Sequence, residues 1–137
     1  MPLDENRLFK PVNIALLTVS DTRGINNDTS GDLLAERIVT AGHKLADRAI
    51  LRDDTALITA QLQSWIDDDH IDVVISTGGT GLTGRDVTPE ALNRVKTKDI
   101  QGFGELFRWL SFASIGTSTI QSRACAVLAG GTYVFAL

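Results

Sequence analysis

A chain of 137 residues, 43% apolar and 22% charged, has the size and composition of one globular domain with a single core. Its net charge of −4 argues against nucleic-acid partners, which call for clustered Lys and Arg. No apolar run reaches the length of a membrane span, Met1–Lys10 has no signal-like hydrophobic region, and the single cysteine, Cys125, excludes an internal disulfide; a cytosolic protein with no membrane partner is expected.

Met1 to Lys10 is polar and aperiodic and reads as a loose arm before a domain spanning residues 11–137. Asn13 to Val19, nearly continuous in apolar side chains, is the first strand, and it delivers Ser20 and Asp21 to its carboxyl end. Ligands of open α/β sheets bind outside such ends, so these two are site candidates, with simple turn closure as the competing reading. A polar loop follows. Thr29-Ser30-Gly31 signals a helix carrying Leu33, Leu34, Ile38 and Val39, and Gly42 stops it. Leu45 to Leu51 reads as a strand near the sheet edge. Asp54 or Thr55 then caps a helix containing Leu57, Ile58, Leu62, Trp65 and Ile66. The acidic run Asp67-Asp68-Asp69 reads as a solvated helix end.

Val73-Val74-Ile75 is a short β-branched run, the signature of a buried parallel strand. Gly78, Gly79, Gly81 and Gly84 follow, so the backbone can turn sharply and approach a ligand. Thr88-Pro89-Glu90 reads as a helix start with Thr88 as N-cap and Pro89 at the first helical position. Strand, glycine loop and helix N-terminus together predict an anion site. Beyond a polar linker, Lys96 to Asp99, the residues Phe103, Leu106, Phe107 and Leu110 form one helical stripe. Trp109 and Phe112 lie off it and suggest a subunit contact. Ser114 to Ser122 is a hydroxyl-rich loop or short helix. Ala124 to Ala129 and Thr132 to Leu137 are strands joined by a Gly130-Gly131 hairpin. The class is α/β: three layers, with a mostly parallel sheet flanked by helices and an antiparallel edge hairpin.

Gly79 to Gly84 satisfies G-x-G-x-x-G, but the strand before it is the third in the chain and Arg85 to Thr88 intervene before the helix. That spacing disfavours a nicotinamide-binding enzyme, and the absence of a loop lysine disfavours a P-loop. Asp86 is more informative. A carboxylate beside a phosphate loop calls for a cation between the two, and Mg²⁺ is commonly held by one or two carboxylates plus substrate phosphates. Asp53, at the end of the second strand, is a candidate second carboxylate, and Arg85 can take a phosphate through its planar fork. The alternative is that Arg85 and Asp86 pair on the surface and Asp86 helps to cap the helix. Ser118, Ser122 and Arg123 can hold a second anionic group or make ordinary loop hydrogen bonds. His43 and His70 read as turn or surface residues, and Cys125 as a small buried hydrophobe.

Thr18-Val19-Ser20-Asp21, Ser76-Thr77-Gly78-Gly79-Thr80-Gly81, Arg85-Asp86-Val87-Thr88-Pro89-Glu90 and Gly102-Phe103-Gly104-Glu105 resemble the molybdenum cofactor biosynthesis MoaB/MogA family. Phe107 to Phe112 and Ile115 to Thr119 look closer to its MoaB branch. The resemblance implies a domain that binds molybdopterin and, in active members, adenylylates it with ATP and Mg²⁺, releasing pyrophosphate. By position, Asp53 and Asp86 match the family's catalytic aspartates, with Asp86 as the Mg²⁺ ligand. Gly78, Gly79, Thr80 and Gly81 match its ligand-receiving loop, and Ser118, Ser122 and Arg123 match the neighbourhood linked to the pterin. It further implies a homo-oligomer, trimer or hexamer, and a C-terminal loop and helix that would follow Leu137. A non-catalytic pterin carrier or assembly module is the alternative.

Overall fold

The computed structural model describes residues 2–137; Met1, the first residue of the expected arm, lies outside the described residues. The elements follow in the order β1 (Asn13–Val19), α1 (Thr29–Thr40), β2 (Lys44–Leu51), α2 (Thr55–Ile66), β3 (Val73–Thr77), α3 (Thr88–Val95), β4 (Lys98–Asp99), α4 (Gln101–Ile115), a 3-10 turn (Gly116–Gln121), β5 (Cys125–Ala129) and β6 (Thr132–Ala136). They build one six-stranded sheet in the order β2-β1-β3-β6-β5-β4. β2, β1, β3 and β6 run parallel, while β5 and β4 run antiparallel to their neighbours. The expected mixed sheet with an antiparallel edge is the observed one, and β2 is the opposite edge.

The alternation of side chains along β1 divides the interior in two. Ala15, Leu17 and Val19 face a cluster with Ile58, Leu62 and Trp65 of α2 and Ala91 and Leu92 of α3. Ile14 and Leu16 face Ile38 of α1 on the other side. Phe103 of α4 meets Phe135 edge-on at 5.0 Å, while its strand neighbours Val134 and Ala136 sit in the α2–α3 cluster. So α4 lies on the α1 side, and the helices pair off on the two faces of the sheet.

The helix signalled at Thr29-Ser30-Gly31 begins at Thr29, capped by Asp28, whose carboxylate accepts from Gly31 N. Three expectations need correction. Thr88 does not cap α3; its hydroxyl instead donates to the Gly78 carbonyl at 2.9 Å. Lys96 to Asp99 is no mere linker: Lys98 and Asp99 add a short strand beside β5. The apolar stripe of α4 is also only partly covered. Leu106 is 53% and Leu110 60% exposed, so with Trp109 at 73% they extend the bare surface expected of Trp109 and Phe112 alone.

Candidate functional site

β3 brings Thr77 to the sheet rim, and the chain then turns through Gly78 (φ +98°) and Gly79 (φ +71°), both left-handed. A Cβ on Gly78 would sit 2.2 Å from the Val19 carbonyl oxygen, and one on Gly79 would sit 2.3 Å from Thr88 Oγ1. The turn is fixed by donors that reach the loop from behind. The Gly78 carbonyl accepts from Thr88 Oγ1 at 2.9 Å. Those of Gly79 and Thr80 accept from Thr88 N and Arg123 N, at 3.1 and 2.8 Å, and that of Gly81 accepts from Arg123 Nε at 2.7 Å. Four successive carbonyls are thereby tied back. Among the described residues the Gly79 and Thr80 N–H groups donate to no protein acceptor, so the loop presents amides where its carbonyls are already satisfied, the polarity an anion requires.

Two carboxylates flank this loop. Asp86 Oδ2 accepts from Thr83 N at 2.9 Å and Thr83 Oγ1 at 2.7 Å. The Thr83 hydroxyl lowers the Asp86 pKa; burial opposes this, and the Thr83 and Gly81 amides and the Arg123 charge reinforce it. Asp86 is therefore an ionised carboxylate folded into its own loop rather than a helix cap. Asp53 lies against the loop, its Oδ1 3.2 Å from where a Gly79 Cβ would stand. Its pKa is raised, first by burial and then by the negative charge of Asp86. The two acids thus feel each other across the glycine turn, which a cation between them would relieve. The described residues contain no group of three or more acidic, His or Cys side chains able to hold a metal. Two carboxylates with open coordination positions are the donor set Mg²⁺ takes when substrate oxygens and water supply the rest.

The remaining candidates divide by what they touch. Asp21 Oδ1 accepts from Asp53 N at 3.0 Å, and its other oxygen pairs with Arg85; Arg85 joins Asp21, not Asp86. Ser20 Oγ accepts from Thr22 N and Arg23 N, which is turn closure, while its side chain still borders a cavity at the rim. Thr88 has no exposed surface, so it supports the loop from within and is closed to a ligand. Arg123 is a strut: besides its bond to Gly81 it donates to the Asp86 carbonyl and pairs with Glu90. Arg123 also brings Ser122 beside the loop. Ser122 Oγ accepts from Ala124 N, and Ser118 is exposed on the 3-10 turn.

Sequence reasoning missed three contributors. Thr83 and Glu90 hold Asp86 and Arg123, and the Thr83-x-x-Asp86 spacing was a readable turn signal. Asp28 has no exposed surface; it accepts from Thr18 Oγ1 at 2.7 Å and pairs with Arg48 at 2.9 Å. That network joins residues ten and twenty positions apart, and no local pattern announces it.

A family model described as a probable molybdopterin binding domain matches residues 15–137. Molybdenum cofactor biosynthesis protein B of Escherichia coli K12 is 50% identical over 129 residues, spanning 94% of this chain and 76% of that protein. The chain belongs to the MoaB/MogA family. Among solved structures, a molybdenum cofactor biosynthesis protein B superposes with a TM-score of 0.90 at 41% identity, over 96% of this chain and 82% of that one. The tungsten cofactor synthesizing protein MoaB from Pyrococcus furiosus gives 0.83 at 34% identity, over 95% and 83%. The MoaB/MogA fold, the role in molybdenum cofactor biosynthesis and the molybdopterin-binding domain follow from these matches.

Proposed function

We propose that this MoaB/MogA protein binds molybdopterin and adenylylates it with Mg-ATP. In this reaction a phosphate oxygen of molybdopterin attacks the α-phosphorus of ATP, the bond to the bridging oxygen breaks, and pyrophosphate leaves. The observation that carries the reading is the loop itself: carbonyls tied back, Gly79 and Thr80 amides free, and Asp53 and Asp86 on either side. In-line transfer between two polyanions is governed by positioning and charge neutralisation. The free amides orient phosphoryl oxygens, and Arg85, exposed beside Asp21, reaches solvent where an incoming phosphate arrives. Mg²⁺ held by Asp86 and Asp53 would supply Lewis-acid neutralisation of the phosphates. Thr83 keeps Asp86 ionised for that task, and the burial and the Asp86 charge that raise the Asp53 pKa would be offset by a cation between the two acids. Ser118, Ser122 and Arg123 border the pterin side.

The reading extends to the molecule as a whole. The domain occupies residues 11–137 with residues 1–10 as an arm, works in the cytoplasm, and assembles as a trimer or hexamer through the bare face of α4. The test is pyrophosphate release from molybdopterin and ATP. The parent is expected to release it only with Mg²⁺, and Asp86→Asn is expected to lose about a hundredfold or more in rate, the scale of one lost electrostatic contact to a transition state. Equal rates in the two proteins would remove Asp86 from the chemistry. A pterin carrier is the second reading, favoured by the chain's relation to MoaB proteins; tight molybdopterin binding without pyrophosphate release would select it.

A further inference from the structure

The rim of the sheet opposite the glycine loop is where β1 and β2 begin, and one histidine joins three segments there. Gly42, just past α1, has a left-handed φ of +91°, and a Cβ on it would sit 3.2 Å from the Phe9 ring. That ring lies over the turn, its centroid 5.1 Å from that of His43. His43 N donates to the Ile38 carbonyl at 3.1 Å, which fixes the residue to the end of α1. Its side chain reaches the other way, where Nδ1 accepts from Val12 N at 3.1 Å.

Little else holds the arm. Among the described residues, no hydrogen bond of residues 2–11 reaches the domain; Asn6 N and Arg7 N donate to Asp4, within the arm itself. None of its charged side chains enters an ion pair. Val12 is secured without the histidine, because its carbonyl accepts from Lys44 N at 3.1 Å and its side chain packs on the α1-side core. Val12 is thus the fixed end of the arm, and the imidazole with the Phe9 ring is its clamp.

The chemistry of that clamp runs in one direction. A backbone amide only donates, so Nδ1 carries a lone pair and the neutral ring has its proton on Nε2. In the imidazolium both nitrogens carry a proton. Nδ1–H would then face Val12 N–H, donor against donor, and the bond is lost. Imidazole is the side chain that ordinarily changes charge between about pH 5 and 8. The charged residues on the segments around the ring are Lys10 of the arm, Glu36 and Arg37 of α1 and Lys44 of β2, with Asp72 beside β1, where it accepts from Asn13 N. Among the described residues no carboxylate pairs with His43, so none holds the imidazolium at the turn.

We propose that His43 is a proton-operated latch: the neutral ring holds residues 2–11 against the α1–β2 turn, and protonation releases them. Release uncovers Gly42 and sets Leu3, Leu8 and Phe9, all more than half exposed already, loose on a segment anchored at Val12. The glycine loop, at the other rim, is left as it is. The latch does not require the transferase reading, so either can fail alone.

The test is NMR of the intact protein between about pH 8 and pH 5, reading backbone nitrogen relaxation of the arm amides together with the His43 ring carbons. The arm is expected to pass from the slow tumbling of the domain to fast local motion as the ring titrates. Loss of the one hydrogen bond shifts the docked-to-free ratio about tenfold. His43→Asn puts an amide oxygen where Nδ1 stands and does not titrate, so it is expected to keep the arm docked throughout. His43→Ala, with no acceptor, is expected to leave the arm free throughout. His70→Gln removes the other histidine and is expected to release as the parent does. Arm motion in the parent that does not change with pH, a release that persists in His43→Asn, an arm still docked in His43→Ala, or a release lost in His70→Gln would overturn the latch.

Discussion

Asp28 is a carboxylate with no exposed surface that nevertheless stays ionised. Burial alone would raise its pKa; the Thr18 hydroxyl, Arg48 and the Gly31 amide overcome that and leave it below 3.8. A lowered acid contributes stability that is present above its unfolded pKa and lost as pH falls through the folded one. The protein should therefore lose stability on acidification below pH 3.8, and Asp28→Asn should flatten that limb. At neutral pH Asp28→Asn should cost about 1.5–3 kcal/mol, the value of hydrogen bonds to a charged group, measured by urea denaturation. Asp53 has the opposite sign: its raised pKa weakens the native state once it ionises, so Asp53→Asn should leave stability unchanged or slightly higher at pH 7. A clear loss there would contradict the repulsion between Asp53 and Asp86. Neither behaviour was legible in the sequence. Asp53 could be nominated because it follows a predicted strand and Asp86 because it lies beside the glycine loop, but their mutual field, and the partners of Asp28, depend on contacts that only the folded sheet creates.

The elements themselves were easier to read. The β-branched run before the glycines, the Pro89 helix start and the Gly130-Gly131 hairpin are local signals, and each marks an observed boundary. What failed was the assignment of Thr88, which fits an N-cap by type, yet its hydroxyl is used on the Gly78 carbonyl. Arg123, read as holding an anion or making loop hydrogen bonds, braces the loop. Gly78→Ala should therefore do more than lower local freedom. Its φ of +98° and the Val19 carbonyl 2.2 Å from the new methyl predict a loss of order 1–3 kcal/mol from backbone strain alone, with further loss from the clash, read as a lower thermal midpoint. Unchanged melting would mean that the turn is not held as described. Arg123→Ala should free the Gly81 and Asp86 carbonyls and weaken molybdopterin binding more than it lowers the melting temperature.

For the whole molecule, the bare helix face is the feature that one chain does not explain. Leu106, Trp109, Leu110, Phe112 and Ile115 of α4 are all more than half exposed, a patch of a kind that soluble monomers rarely carry. Half of it was legible, since Trp109 and Phe112 fall off the predicted stripe. Leu106 and Leu110 were expected inside, because periodicity shows that a helix has an apolar face but not whether its own domain covers that face. Trp109→Glu combined with Leu110→Glu should reduce the sedimenting mass while leaving far-ultraviolet dichroism unchanged; an unchanged mass would remove this face from assembly.

The central claim is that Asp53 and Asp86 act together on one divalent ion at the glycine loop. Carboxyl carbon NMR of the intact protein, titrated with Mg²⁺ in the presence of a non-hydrolysable ATP analogue, tests it most directly. The account predicts that both resonances shift together at one Mg²⁺ concentration and that the raised pKa of Asp53 falls as the cation offsets the charge of Asp86. Resonances that stay in place, or an Asp53 pKa that does not move, would contradict it.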